Sequence, residues 1–214
     1  MGDQVYQHLR DMILSLQIKP GERVPESKIA NQFGISRTPI REAIKQLAND
    51  GIVTIYPNRY SEVSVLEPKL MQEIGSIRIA LDVVAARLAI LYGSNYDYAQ
   101  MDRLNEACFQ AAMREDMATR IKMNCAFHLE LNRISQNTEL FMIQKRLYLK
   151  LEFMQACCYA NVETKEEQYR QHKSMMEALY NRDADKLISL LTLHERHFHA
   201  MSEEPPLTKD LGIS

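Results

Sequence analysis

Phe33-Gly34-Ile35-Ser36-Arg37-Thr38-Pro39-Ile40-Arg41-Glu42-Ala43-Ile44-Lys45-Gln46-Leu47 carries two opposed faces in one run. Ile40, Ala43, Ile44 and Leu47 recur at three and four spacing and make an apolar stripe. Arg37, Arg41 and Lys45 stand at i, i+4 and i+8, nearly opposite that stripe. The start of a helix is marked as well. Ser36 or Thr38 can cap it, and Pro39 is tolerated in a first turn, where the missing N–H has no helical partner to lose. Gly34 takes a positive φ without strain and so suits a sharp turn from the element before it. The run therefore reads as a helix with one buried and one cationic face, entered through a glycine turn.

Working outward, a shorter helix over about 26 to 33 shows Ile29, Ala30 and Phe33 on one side. Before it, a helix over about 3 to 16 aligns Val5, Leu9, Met12, Ile13 and Leu16 and stops ahead of Lys19-Pro20-Gly21. After Asn49-Asp50-Gly51 come two β-leaning runs, Ile52 to Tyr56 and Glu62 to Val65, separated by Pro57-Asn58-Arg59-Tyr60-Ser61. Helix, helix, tight turn, helix and hairpin is the order of a winged helix-turn-helix, expected over residues 1–66. Within it the cationic helix occupies the place of a recognition helix. That segment has 8 basic and 7 acidic residues, a net of plus 1, so the Arg37–Arg41–Lys45 face is a local concentration of charge. Arginine's planar fork matches guanine O6 and N7, which suits Arg37 and Arg41 to base readout. The first helical turn, with Ser36 and Thr38, offers hydroxyl and N–H groups to phosphate, and Lys45 extends the ridge. Arg59, in the wing, can reach a phosphate or the minor groove.

Composition limits what else the chain can be. Its 214 residues are 46% hydrophobic, enough for a sizeable core in two small domains, and disorder is excluded. With 26 Lys and Arg against 28 Asp and Glu the net charge is minus 2, so bulk charge does not coat nucleic acid and any DNA contact is local. No apolar run approaches the roughly 20 residues of a membrane span, and Met1-Gly2-Asp3-Gln4 lacks the layout of a secretory signal. The expectation is a soluble cytoplasmic protein with no membrane partner. Cys108, Cys125, Cys157 and Cys158 have no framework spacing and read as reduced thiols. Only 7 Gly and 7 Pro beside 12 Met leave few residues to punctuate strands, which favours helix.

After the linker Leu66-Glu67-Pro68, apolar residues recur at helical spacing, and six helices are expected at about 69–92, 98–114, 117–135, 139–159, 165–181 and 184–200. Gly93-Ser94-Asn95, Glu115-Asp116, Ser135-Gln136-Asn137 and Asn181-Arg182-Asp183 mark the joints, Thr164 with Glu167 forms a capping-box pattern, and Asp183 can cap the last helix. The fold class is thus mainly α: a winged helix-turn-helix with a small β-hairpin over 1–66, an all-α bundle of about six helices over 67–202, and a tail over 203–214. Five of the six histidines lie in the second half. Asn124 and His128 are one helical turn apart, and His172 and His194 come from two later helices, so three helices can bring four side chains to one spot. Cys125 is a rival ligand, but it points about 100° away from Asn124. His197 and His199 are expected at the surface, with His197 the one auxiliary candidate.

Ile35-Ser36-Arg37-Thr38-Pro39-Ile40-Arg41-Glu42-Ala43, followed by Leu47 and Gly51-Ile52-Val53, resembles the signature of GntR-type bacterial transcriptional regulators, and Lys19-Pro20-Gly21-Glu22-Arg23 with Ile29-Ala30 fits the same pattern. The resemblance implies binding to a double-stranded DNA operator as a homodimer, with Arg37 and Arg41 reading bases and Thr38 and the wing on backbone or minor groove. Asn124-Cys125-Ala126-Phe127-His128-Leu129, Ser135-Gln136-Asn137, His172 and His194 resemble the FCD effector domain of the FadR subfamily, as do Arg78, Leu81-Asp82 and Ala85-Ala86-Arg87-Leu88-Ala89. It implies a divalent metal held by Asn124, His128, His172 and His194, and a small-molecule effector, a carboxylate, paired with Arg78. A salt bridge from Arg78 to Asp82 is the alternative use of that arginine. Three departures stand out: Ser27 where many relatives have arginine, Tyr60 or Ser61 where the wing has glycine, and Asn124 where the family has Asp. An amide oxygen brings no negative charge, so three imidazoles and a carbonyl favour zinc or nickel. The reading is a ligand-responsive transcriptional regulator and not an enzyme. Its rivals are a metal-dependent hydrolase with Glu130 or Glu177 as base, and a helical interaction protein without DNA readout.

Overall fold

The computed structural model describes residues 2–158 and 164–199. The tail expected over 203–214, and the ends of the fourth and sixth expected helices of the bundle, fall outside the described residues. The described residues divide into two compact units, 2–66 with 149–157, and 67–148 with 158 and 164–199. Among the described residues no helix is long and apolar enough to cross a membrane. Cys108 and Cys125 are buried, and Cys157 and Cys158 are half-buried.

The first unit holds α1 (Gly2–Leu14), α2 (Glu26–Phe33), α3 (Arg37–Asn49), β1 (Val53–Tyr56) and β2 (Tyr60–Val63). Its core is built from the stripes the sequence displays: Val5, Leu9 and Ile13 from α1, Ile29 and Ala30 from α2, and Ile40, Ala43, Ile44 and Leu47 from α3, closed by Ile52, Val53 and Val63. Gly34 takes φ 64° and its N–H caps the end of α2, which turns the chain directly into α3. Four details depart from expectation. Helix α1 stops at Leu14 because Leu16 adopts φ 56°, a left-handed conformation that ends the hydrogen-bond ladder. Phe33, at the end of α2, is 38% exposed and sets its ring edgewise on His8 rather than in the core. Strand β1 begins at Val53, one residue late. Strand β2 begins at Tyr60, because Asn58 takes φ 57° and shortens the loop from five residues to three, with Tyr56 opposite Tyr60.

The second unit holds α4 (Pro68–Tyr92), α5 (Asn95–Met113), α6 (Met117–Ile134), the start of α7 (Thr138–Cys158), α8 (Lys165–Tyr180) and α9 (Ala184–Phe198). Its core gathers Ala85, Ala86 and Ala89 of α4, Tyr98 and Met101 of α5, Phe127 and Leu131 of α6, and Met175, Met176, Leu179, Leu187 and Leu191 of α8 and α9. Capping groups set most of the starts. Asp116 accepts from Thr119 N–H, Asn137 from Leu140 N–H, Thr164 from Glu167 N–H and Asp183 from Lys186 N–H. Ser94 and Asp97 form a full capping box, so α5 begins at Asn95, three residues earlier than its apolar periodicity suggests.

Gly93 is needed for room rather than for backbone freedom. Its φ is an ordinary −69°, but a Cβ there would lie 2.5 Å from Ala89 O, 2.6 Å from Ile134 Cγ2 and 2.7 Å from Tyr98 Cε1. Arg182 closes the same corner by donating to Ile90 O at 3.0 Å and Gly93 O at 2.6 Å. Gly93→Ala is therefore expected to cost about 1–3 kcal/mol through overpacking against a backbone oxygen that cannot move aside, read as a lowered urea midpoint with unchanged m-value.

Candidate DNA-reading surface and candidate metal centre

On the first unit, Ser36, Arg37, Thr38, Arg41, Lys45 and Arg59 are all exposed, while the opposite side of α3 is buried. Arg41, Lys45, Asn58 and Arg59 line one groove between α3 and the hairpin, with Glu26, Ile55 and Tyr56. Two of the cations are already paired: Arg41 Nε lies 3.0 Å from Glu26 Oε2, and Lys45 Nζ lies 2.9 Å from Glu42 Oε1. Such exposed pairs are worth about 0–1 kcal/mol and exchange readily for phosphate or base edges. Ser36 sits at the N-cap of α3 in extended conformation, yet its side chain makes no capping hydrogen bond, and Thr38 lies inside the first turn. Neither hydroxyl is used to start the helix. The wing is stiffened without glycine: Tyr56 and Tyr60 rings lie 4.8 Å apart, the Arg23 guanidinium covers Tyr60 at 4.0 Å, and Tyr56 Oη donates to Glu62 at 2.8 Å.

In the second unit, His128 of α6, His172 of α8 and His194 of α9 meet at one buried spot. Their ligand atoms lie within 4.8 Å of one another, and this is the one such group of three or more His, Cys, Asp or Glu among the described residues. The ring centroids form a near-equilateral triangle of 5.1, 5.1 and 5.2 Å. Two rings are held from behind. His172 Nδ1 is 2.9 Å from Asn105 Oδ1, and His194 Nδ1 is 2.6 Å from Gln171 Oε1. Phe127 stacks on His172 at 4.1 Å. Desolvation, with repulsion from Arg78 behind it, pushes His172 down to about 3 and holds His128 and His194 well below the usual imidazole range, so all three are neutral at pH 7. Neutral imidazole is the form that ligates metal. His172 Nε2 and both ring nitrogens of His128 are buried without a hydrogen-bond partner, a cost that a bound cation would remove.

Asn124 is buried one turn before His128, and its Oδ1 accepts from Gln168 Nε2 at 3.1 Å. Gln168 Oε1 in turn accepts from Arg120 Nε and Nη2 at 3.3 and 3.2 Å. Cys125 is buried outside the histidine group.

Arg78, expected to meet an effector, is 1% exposed and makes the alternative bridge to Asp82, Nε to Oδ2 at 3.5 Å. It also reaches a partner the sequence did not indicate, Glu195, with Nη1 2.6 Å from Oε2, and donates to Tyr148 Oη at 2.9 Å. Burial raises the Asp82 carboxyl to about 6, against the pull of Arg78. His199, expected at the surface, is 1% exposed: one turn beyond Glu195, its Nε2 lies 3.7 Å from Glu195 Oε2. His197 is exposed as expected. Asn105, Gln171 and Glu195 escaped the sequence reading because each lies on a helix whose rotation is set only by packing. The bases a hydrolase would require are engaged elsewhere, Glu130 with Arg133 at 2.7 Å and Glu177 with Lys186 at 3.8 Å.

Comparison with known proteins matches the two halves of the chain to two families. Residues 1–63 match the bacterial regulatory proteins of the gntR family, and residues 73–197 match the FCD domain. The chain is 28% identical over 195 residues to the HTH-type transcriptional regulator YdhC of Bacillus subtilis, covering 91% of this chain and 87% of that one. It is 26% identical over 194 residues to the HTH-type transcriptional repressor RspR of Escherichia coli, covering 91% and 85%. Among solved structures, E. coli McbR/YncC shares the fold with a TM-score of 0.77 at 24% identity, over 94% of this chain and 95% of that chain. The chain belongs to the gntR family of bacterial regulatory proteins, as a DNA-binding transcriptional regulator with an FCD domain and not an enzyme.

Proposed function

We propose that this regulator reads a short operator as a homodimer, and that a small carboxylate effector bound in a metal-containing helical domain, residues 67–202, changes its operator affinity. The observation that carries the reading is the meeting of His128, His172 and His194, from three helices, at one buried spot in the chain of a DNA-binding regulator. Arg37 and Arg41 read base edges, and Ser36, Thr38, Lys45 and Arg59 take backbone phosphates, which makes binding strongly salt dependent. The three imidazoles, with the amide oxygen of Asn124, hold a divalent cation, zinc or nickel. When bound, that ion supplies a Lewis-acidic contact for an anionic oxygen of the effector. Arg78 provides the second anion contact, and an effector carboxylate there competes with Glu195, now 2.6 Å away. A ligand that favours one arrangement of the helical domains shifts the freedom of the two DNA-reading heads in proportion to its differential affinity.

The test joins metal content to DNA binding. Wild-type protein should retain about one zinc or nickel per chain after dialysis, by elemental analysis, and His172→Ala should lose it. The same variant should still bind a duplex selected from a random pool, because the DNA-reading face is untouched. Its affinity should no longer respond to metal and carboxylate added together. Retention of stoichiometric metal by His172→Ala would overturn the assignment of the centre.

A further inference from the structure

The histidine centre leaves one buried acidic side chain without a role. Glu195, fully buried on α9, lies beside His194 in sequence, and its two oxygens face different groups. Oε2 is 2.6 Å from Arg78 Nη1, and Oε1 is 3.9 Å from His128 Nδ1. The other two imidazoles each present Nδ1 to an amide oxygen, Asn105 Oδ1 for His172 and Gln171 Oε1 for His194. An oxygen of that kind only accepts, so each of those rings carries its proton on Nδ1 and keeps Nε2 as a lone pair. His128 is the ring without such a hydrogen bond, and the acceptor facing its Nδ1 is a carboxylate about one ångström too far. Closing that gap requires the Glu195 carboxylate to turn toward the ring. Glu195 does not belong to the group whose ligand atoms lie within 4.8 Å of one another, so its place is behind the ring and not on the ion.

Position 124 sharpens the point. Asn124 contributes an oxygen but no charge, and that oxygen is already bonded to Gln168. We propose that Glu195 is the positioning carboxylate of the metal centre: it accepts from His128 Nδ1–H, aims Nε2 at the ion, and supplies through that ring the negative charge that position 124 lacks. Arg78 anchors its other oxygen. Carboxylates placed in this way orient a ligating imidazole and make it more basic, and their removal costs about 10–100-fold in metal affinity. The inference rests on the reading of His128, His172 and His194 as a metal centre.

The experiment uses the full chain and zinc alone, with affinity measured by competition against a chromophoric chelator and apo-protein folding followed by circular dichroism. Glu195→Gln should weaken zinc binding about 10–100-fold. Placing the charge at position 124 should compensate: N124D/E195Q should recover at least roughly tenfold over E195Q, since Gln168 Nε2 already points at that site. Should E195Q fail to fold, Glu195→Asp keeps the charge but withdraws it by one methylene and should lose about tenfold, the low side of that range. A folded E195Q or E195D with wild-type affinity overturns the proposal, as does an N124D/E195Q double variant no better than E195Q, which would mark the loss as merely structural. A wild-type chain that binds no zinc overturns the metal reading together with this one.

Discussion

Replacing Arg37 and Arg41 together by alanine should weaken binding to a selected operator duplex by roughly 30- to 10⁴-fold while leaving stability within about 0.5 kcal/mol. The magnitude follows from the chemistry of the contact: a well-placed bidentate arginine–guanine pair is worth about 1–3 kcal/mol of discrimination, and two such pairs sum to about 2–6 kcal/mol. Stability is spared because both side chains are exposed, on the side of α3 away from Ile40, Ile44 and Leu47, and substitutions at such places are nearly neutral. Arg41 must first release Glu26, but that pair is held by an arginine 62% exposed and costs little to break. Lys45→Ala serves as the contrast. A phosphate contact should weaken all duplexes alike and lower the salt slope by about 1, whereas the arginine double variant should lose the difference between operator and scrambled DNA. Fluorescence anisotropy on both duplexes, across a salt series, separates the two. Equal operator binding by the double variant and the wild type would end the assignment of α3 as the reading helix.

The DNA-reading head was legible because its determinants are local. The stripe at Ile40, Ala43, Ile44 and Leu47 fixes which side of α3 is buried, so the side left for Arg37, Arg41 and Lys45 follows by helical geometry. The wing was legible only in outline, since the left-handed turn at Asn58 shortened a loop that the strand pattern made longer. In the helical unit the spacing of Asn124 and His128 and the separate placing of His172 and His194 were enough to suggest a meeting point. The oxygens behind those rings were not, because adjacent residues diverge by about 100° on a helix. The packing of α4 against α9 is what brings Arg78 to Glu195, next to His194. His199, expected at the surface, is buried for the same reason: one turn beyond Glu195, it shares the inward side of α9.

Arg78→Leu should destabilise the helical unit by about 3–5 kcal/mol at pH 7.5, the largest stability effect expected of any single change here. Arg78, Asp82 and Glu195 are each no more than 2% exposed in their side chains, and the guanidinium lies 2.6 Å from one carboxylate and 3.5 Å from the other. Removing it strands two acids in a dry interior, and breaking a buried pair from one side costs about that much. The pH dependence carries a definite sign. Burial already raises Asp82 to about 6, and loss of Arg78 removes the charge that pulls it down. A carboxyl whose folded value lies above its unfolded value contributes stability that is complete below the unfolded value and lost as pH rises through the folded one. The gap between wild type and Arg78→Leu should therefore widen between pH 5 and pH 8, measured by urea unfolding of the full chain. A triple variant that also carries Asp82→Asn and Glu195→Gln should recover part of the loss, because the stranded charges leave with their partner. A constant gap across that range would mean that leucine fails by shape and not by charge.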